Sequence, residues 1–322
     1  MAPSILIAGA TGNTGRSTTE TLSKLLQSLP TSSPLQNHRI LALTRSASSP
    51  AAQHLTTLPG VKIIEHNWTE ITPSWLQQHE VTRAFIAPHN KPTQFADEST
   101  FHLSLRDTGV KYVVRISTTA AHVRPDSIAY YPRAHWAIET LLGAEEFADL
   151  HWTSLQPNVF QIFFFSAAQF IKEYRATGTL GTLRLMGSKD TPVGVIDSDE
   201  VGIVAAHLLS QEDIYVHNRK KYVLNGPESI TGEGIVRLVE EIIGVPVPDE
   251  TVSYQDQSGL DDLLEAEYMG PGISRNVVLS TKRAAEKAWA GGFPTIPTSK
   301  EVLDIAPPRR RPREMLENLL EN

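Results

Sequence analysis

The sequence predicts an α/β chain, a doubly wound parallel sheet followed by a smaller carboxyl-terminal α/β lobe. Three observations lead there. An apolar strand near the amino terminus runs straight into a glycine turn and a helix, strand and helix patterns then alternate five times, and past Asn158 the alternation loosens. Such alternation builds parallel strands joined by right-handed crossovers, with a ligand crevice at the carboxyl ends of the strands.

Ser4-Ile5-Leu6-Ile7-Ala8 is the first strand, and Gly9-Ala10-Thr11-Gly12-Asn13-Thr14-Gly15 is the turn after it. Glycines at this spacing supply a tight turn, close approach of backbone to a pyrophosphate, and close packing of helix on strand. The helix from Thr14 to about residue 29 carries Leu22, Leu25, Leu26 and Leu29 at helical spacing. Its exposed N–H groups and positive dipole end are suited to phosphates, so Gly9, Thr11, Gly12, Asn13, Thr14 and Gly15 are the expected contacts. After a Ser- and Pro-rich loop over 30–38, residues 39–44 form a second strand ending in Arg45-Ser46. In a dinucleotide fold this strand end faces the adenosine ribose. A carboxylate there accepts from the hydroxyls of NAD, whereas a cation pairs with the extra phosphate of NADP. Arg45 occupies the place with no carboxylate beside it in the chain, so NADP(H) is the expected cofactor.

A third strand is expected over 61–65, with Asn67-Trp68 beyond it at the edge of the adenine. A fourth runs over 84–88, and its end, Ala87-Pro88, is expected against the cofactor with His89 toward the substrate. A helix over 93–108 and a fifth strand over 110–116 bring Ser117 to the crevice. A loop over 120–131 then leads into a helix from Pro132 to Gly143, both of whose boundaries are marked. The sixth strand, 152–156, closes on Pro157-Asn158. Beyond it, Phe160, Phe163, Phe164, Phe165 and Phe170 cluster in one helical stretch, and Asp197 reads as the cap of the apolar helix that follows. A short strand over 222–226 and a helix over 231–243 precede an irregular region expected to cover the crevice. The expected division is 1–157 for the dinucleotide domain and 158–322 mainly for a substrate lobe, with about 195–225 returning to the first.

Composition narrows the function. The 322 residues exceed the usual single domain, and a net charge of −7 provides no general attraction to nucleic acid or to anionic membranes. The basic stretch over 307–313 reads as a tail packed on an acidic body. With no cysteine, disulfides, thiolate metal sites and a cysteine nucleophile are excluded. His89 and His122 lie near the same sheet edge without a metal-ligand spacing, so no metal is expected. The most apolar run, 159–171, is broken by Gln161, Ser166 and Gln169 and is shorter than the roughly 20 residues of a membrane span. The amino terminus lacks the pattern of a signal peptide. A cytoplasmic protein is expected, monomer or homodimer, whose partner is a small-molecule substrate.

These segments resemble the NmrA-like members of the atypical short-chain dehydrogenase/reductases. The resemblance is carried by the glycine turn, by Leu43-Thr44-Arg45-Ser46, by Val113-Val114-Arg115-Ile116-Ser117, by His135-Trp136-Ala137-Ile138-Glu139, and by residues 152–160. It covers the first half of the chain in order, and the second half only loosely, through residues 199–202 and 222–227. It implies an NADP-binding Rossmann fold with a small carboxyl-terminal substrate lobe. The family includes quinone and imine reductases, tailoring enzymes of secondary metabolism, and regulators that bind the dinucleotide without turning it over.

Reductases of the wider superfamily use a serine after the fifth strand, then a tyrosine and, four residues later, a lysine. Ser117, Tyr131 and His135 fall at the corresponding places, with histidine where lysine is expected. Pro132 is expected to leave Tyr131 just outside the helix, which would break its alignment with His135 and make Tyr130 a rival proton donor. A histidine near its ordinary pKa of about 6.5 is suited to bonding the ribose hydroxyls or delivering a proton, here with Glu139 orienting the ring. Asn158 is expected on the nicotinamide amide or the substrate, and Phe160 as an apolar wall. The expected function is an NADPH-dependent oxidoreductase acting on a small, largely apolar carbonyl, quinone or imine compound. A dinucleotide-sensing regulator, or an isomerase, dehydratase or cyclase on the same fold, are the alternatives.

Overall fold

The computed structural model describes residues 2–291 and 296–321. Strand and helix alternate from the first residues: β1 (Ser4–Ala8), α1 (Asn13–Gln27), β2 (Arg39–Thr44), α2 (Pro50–Thr56), β3 (Val61–Glu65), α3 (Pro73–Gln78), β4 (Val81–Ile86), α4 (Gln94–Asp107), β5 (Tyr112–Ile116), α5 (Tyr130–Leu142) and β6 (His151–Pro157). The two short helices α2 and α3 were not expected from periodicity. Their signal is chemical: each begins with proline at its first turn, capped by a hydroxyl immediately before it, Ser49 onto the Ala52 amide and Thr72 onto the Trp75 amide. The fourth strand lies earlier than expected, so Ala87 and Pro88 fall just past its end.

Beyond β6 the elements shorten: β7 (Val159–Phe160), α6 (Phe165–Thr177), β8 (Leu183–Leu185), β9 (Val193–Ile196), α7 (Ser198–Ser210), β10 (Lys220–Leu224), β11 (Ser229–Ile230), α8 (Gly232–Ile243), β12 (Val252–Tyr254), α9 (Ser258–Glu267), α10 (Arg275–Leu279), α11 (Lys282–Trp289), α12 (Lys300–Ile305) and α13 (Pro312–Glu321). The main sheet has seven parallel strands in the order β10-β6-β5-β4-β1-β2-β3. It reverses direction between β1 and β4, the switch point at which doubly wound folds bind ligands.

Period-two alternation along β1 assigns the two faces of the sheet. Ile5 and Ile7 join a core with α1 and α7, whereas Leu6 and Ala8 join one with α4 and α5. Helices α1 and α7 approach closely at Gly202, where a Cβ would lie 2.0 Å from Ser17 Oγ. A third cluster, including Phe164, Ile171, Leu185, Ile235 and Met315, forms under the small sheets β11-β9-β7 and β12-β8. The basic tail lies on acidic side chains. Arg310 pairs with Asp197 at 2.8 Å and Asp199 at 3.2 Å, and Arg311 with Glu228 at 3.4 Å. Among the described residues no helix is long and apolar enough to cross a membrane.

Candidate functional site

A cavity of about 540 Å³ opens at the carboxyl ends of β1, β4, β5 and β6. One end is formed by Gly9, Gly12, Asn13 and Thr14. Gly9 adopts φ +88°, and a Cβ on Gly15 would lie 2.0 Å from the Gly9 carbonyl oxygen, so both positions require glycine. The first turn of α1 has no side-chain cap and no acidic residue, which leaves its N–H groups and dipole available to an anion. The turn is tied to β2 by the Ala10 amide on the Leu43 carbonyl at 3.1 Å and by Thr11 Oγ1 3.3 Å from Thr44 Oγ1. Arg45 is thereby placed beside the turn, exposed and without an ion pair among the described residues. A free guanidinium and an uncapped helix start are the groups that an NADP phosphate set requires. The structure adds a carboxylate that adjacency in the chain did not show: Glu65, at the end of β3, accepts the Ala47 amide at 2.8 Å and fixes the loop after Arg45.

Thr11 lines a neighbouring cavity of about 390 Å³ together with Gly12, Asn13, Arg16 and Arg310. His89 does not line the main cavity. Its ring is held by Asp97 at 3.1 Å and lies against Trp68. Trp68 packs on Phe101 as well, and Asn67 Oδ1 caps its own turn by accepting the Thr69 amide. Asn90, the next residue, lines the cavity where His89 was expected.

The opposite end is built on α5. This helix begins at Tyr130, because proline in a first turn lacks only an N–H that would have no helical partner. Tyr131 is therefore inside the helix, one turn before His135, and the alignment that Pro132 was expected to break is preserved. The Tyr131 hydroxyl is hydrogen-bonded to Thr118, and burial pushes its pKa above the ordinary range. Tyr130 donates its hydroxyl to the Asn90 carbonyl, and its amide bonds Ser280 Oγ at 3.1 Å, so the rival donor is committed to joining the loops. Ser117 Oγ is buried at the cavity without a partner. Asn158 Oδ1 accepts from the Val159 amide at 3.0 Å and from Thr119 at 3.3 Å, and Phe160 supplies an apolar wall.

His135 is 1% exposed, and burial together with the nearby Arg115 guanidinium lowers its pKa to about 3. Arg115 donates to Nδ1 at 2.8 Å, which assigns the ring hydrogen to Nε2, 3.2 Å from Asn90 Oδ1. The ring is therefore a neutral imidazole, and the expectation of a titrating proton donor is corrected. Nor does Glu139 orient it. Glu139 bonds Ser154 at 2.7 Å, Gln156 at 3.1 Å and Lys221 at 2.9 Å. The orienting group is Arg115, itself fully buried and clamped by Glu98 through contacts of 2.7 and 3.2 Å. Burial raises the Glu98 carboxyl, but Arg115 and His102 outweigh it and hold the group well below the carboxylate range. Glu98 and Arg115 went unassigned at the sequence level, although a charged residue inside the apolar strand Val113-Val114-Arg115-Ile116 was a usable signal. Among the described residues no cluster of three or more His, Asp or Glu side chains suits a metal ion.

Three known proteins bear on this geometry. No family model matches the chain. A (4-alkanoyl-5-oxo-2,5-dihydrofuran-3-yl)methyl phosphate reductase of Streptomyces griseus is 25% identical over 296 residues, covering 91% of each protein. An NADPH-dependent quinone oxidoreductase of Escherichia coli, solved with NADPH, superposes with a TM-score of 0.69 at 19% identity over 98% of this chain and 99% of that one. A triphenylmethane reductase of Citrobacter sp., solved with NADP(H), gives 0.68 at 20% identity over 98% and 100%. The chain shares the Rossmann-like α/β fold of these NADPH-dependent reductases. The glycine turn, Ser117, Tyr131 and His135 line one cavity of it.

Proposed function

We propose that the protein is an NADPH-dependent oxidoreductase that reduces a small, largely apolar carbonyl, quinone or imine compound. The observation that carries this reading is the continuity of the cavity. It runs from an uncapped helix start beside a free arginine, past Ser117, Tyr131 and His135, to walls such as Phe160, Phe163 and Leu264. Gly9, Gly12, Asn13, Thr14 and Gly15 hold the pyrophosphate in this reading, and Arg45 the adenosine phosphate. Ala87 and Pro88 lie against the cofactor, and Asn158 meets the nicotinamide or the acceptor. The bound dinucleotide supplies hydride. Ser117 Oγ, which lacks a protein partner, orients the acceptor oxygen or nitrogen. Tyr131 delivers the proton, being a neutral phenol throughout the physiological range. His135 is a positioning residue that holds Asn90 and the floor of the cavity.

NADPH oxidation with a panel of quinones, imines and aromatic ketones tests the reading. Steady turnover is expected, together with a fall of about 100-fold or more in kcat for Tyr131→Phe at unchanged NADPH affinity. One feature favours a second reading, a regulator that binds NADP without turnover: among the described residues that line the cavity with Tyr131 there is no lysine, histidine standing in the lysine place. Tight NADPH binding with no turnover across the panel would select it.

A further inference from the structure

The Streptomyces griseus relative is named for a substrate carrying a phosphate ester. The cavity of this chain is poorly made for one. Among the described residues that line it there is no lysine, arginine, aspartate or glutamate. Its polar groups are neutral, chiefly the hydroxyls of Ser117, Thr119 and Tyr268 and the amides of Asn90 and Asn158. His135 adds no charge, since Arg115 donates to its Nδ1. Arg115 itself is shut behind that ring, with its guanidinium satisfied by Glu98 and Ser154. The walls farther from the glycine turn include Phe163, Met186, Leu263, Ala285 and Trp289, and the indole N–H of Trp289 is already given to the Met186 carbonyl at 2.7 Å.

A phosphate monoester entering this space would lose hydration and meet no cation, an arrangement that buried charge tolerates badly. The uncapped start of α1 is suited to an anion, but in the function proposed above the cofactor pyrophosphate occupies it. Ser117 Oγ, buried and unpartnered, suits a carbonyl or hydroxyl of a neutral molecule. We propose that the cleft takes an uncharged acceptor and rejects phosphorylated ones, so that this chain does not share the substrate of its relative. The proposal rests on reading the cleft as the acceptor site of an NADPH-dependent reductase.

The test uses the full chain saturated with NADP+ and the neutral apolar dye Nile red as the cavity probe. Two competitors are compared: the alkanoyl dihydrofuranone methyl phosphate of the relative's name and its free alcohol. The alcohol is expected to displace the dye at a concentration at least about 100-fold lower than the phosphate. The same order is expected in kcat/KM wherever NADPH oxidation is observed. Leu263→Lys, which places an ammonium on the half-buried face of α9, is expected to narrow the gap by about 10-fold or more, and Ala285→Lys on α11 serves if the first variant is unstable. Equal or better competition by the phosphate overturns the proposal. So does a dye that neither competitor displaces, or a gap that neither lysine variant changes. Absence of NADPH oxidation with both compounds would count against the reductase reading alone, because displacement still ranks the two charges.

Discussion

The two ends of the cleft are made of different material. At the glycine end the recognising groups are backbone, a tight turn and the first N–H groups of α1, all within about a dozen consecutive residues. At the reacting end they are side chains held from behind by buried charge. His135 on α5 leans on Arg115 of β5, which leans on Glu98 of α4, while Glu139 and Lys221 close the network from α5 and β10. The first end needs only a correct local path of the chain. The second needs four elements to be packed before all of its charges are paired, which makes it the more fragile to single substitutions that leave a charge unmatched.

The largest effect that would break this contrast lies at the glycine end. Alanine in place of a glycine within a helix ordinarily stabilises by about 1 kcal/mol, but at Gly15 a Cβ would lie 2.0 Å from a backbone oxygen that has no room to move. Gly15→Ala is expected to reverse the sign and cost more than about 4 kcal/mol, with loss of NADPH binding, as measured by denaturant midpoint and fluorescence titration. A neutral or stabilising result would mean that the turn is looser than described.

Glu98→Gln tests the other end. It strands the Arg115 guanidinium in a fully buried setting and is expected to cost about 3–5 kcal/mol in stability. The reacting end would have to be re-described if urea denaturation moved by less than about 1 kcal/mol. Arg45→Glu acts on the phosphate end without burial, since Arg45 is exposed. An expected loss of about 1.5–3 kcal/mol in NADPH affinity, with NADH affinity little changed, follows from removing a charge-assisted pair. Equal affinities for NADPH in the two proteins would reassign the adenosine phosphate.

The smallest effect is in pH. The folded protein holds His135 near a pKa of about 3, below its ordinary value of 6.5, so the unfolded chain binds a proton that the folded one refuses. This contribution to stability is fully present above about pH 6.5 and is lost as pH falls toward 3, at up to about 1.4 kcal/mol per pH unit. Between pH 7 and 5 the wild-type chain should therefore lose about 1–2 kcal/mol more than His135→Asn does, read from denaturation at the two pH values. Parallel slopes would show that the ring is not the buried neutral imidazole described.

The same difference in material explains what could be read from the chain. Its sequence alone determined the parallel sheet, the glycine turn and the strand-end arginine, because each rests on neighbours within a few residues or on a repeating period. It also brought Ser117, Tyr131 and His135 to the crevice by their places at strand and helix ends. Tertiary structure alone decided their states. Whether His135 carries a proton depends on Arg115, 20 residues earlier, and on Glu98 and Asn90 from α4 and the loop before it. Whether Tyr131 lies on the helix depended on how a first turn accommodates Pro132. His89 turned away to Asp97, and only the packing of α9 and α11 decided that their uncharged residues face the cavity. Local chemistry places residues, but protonation, partners and the charge of a cavity are set by groups distant in the chain, through burial and pairing that no window of sequence contains.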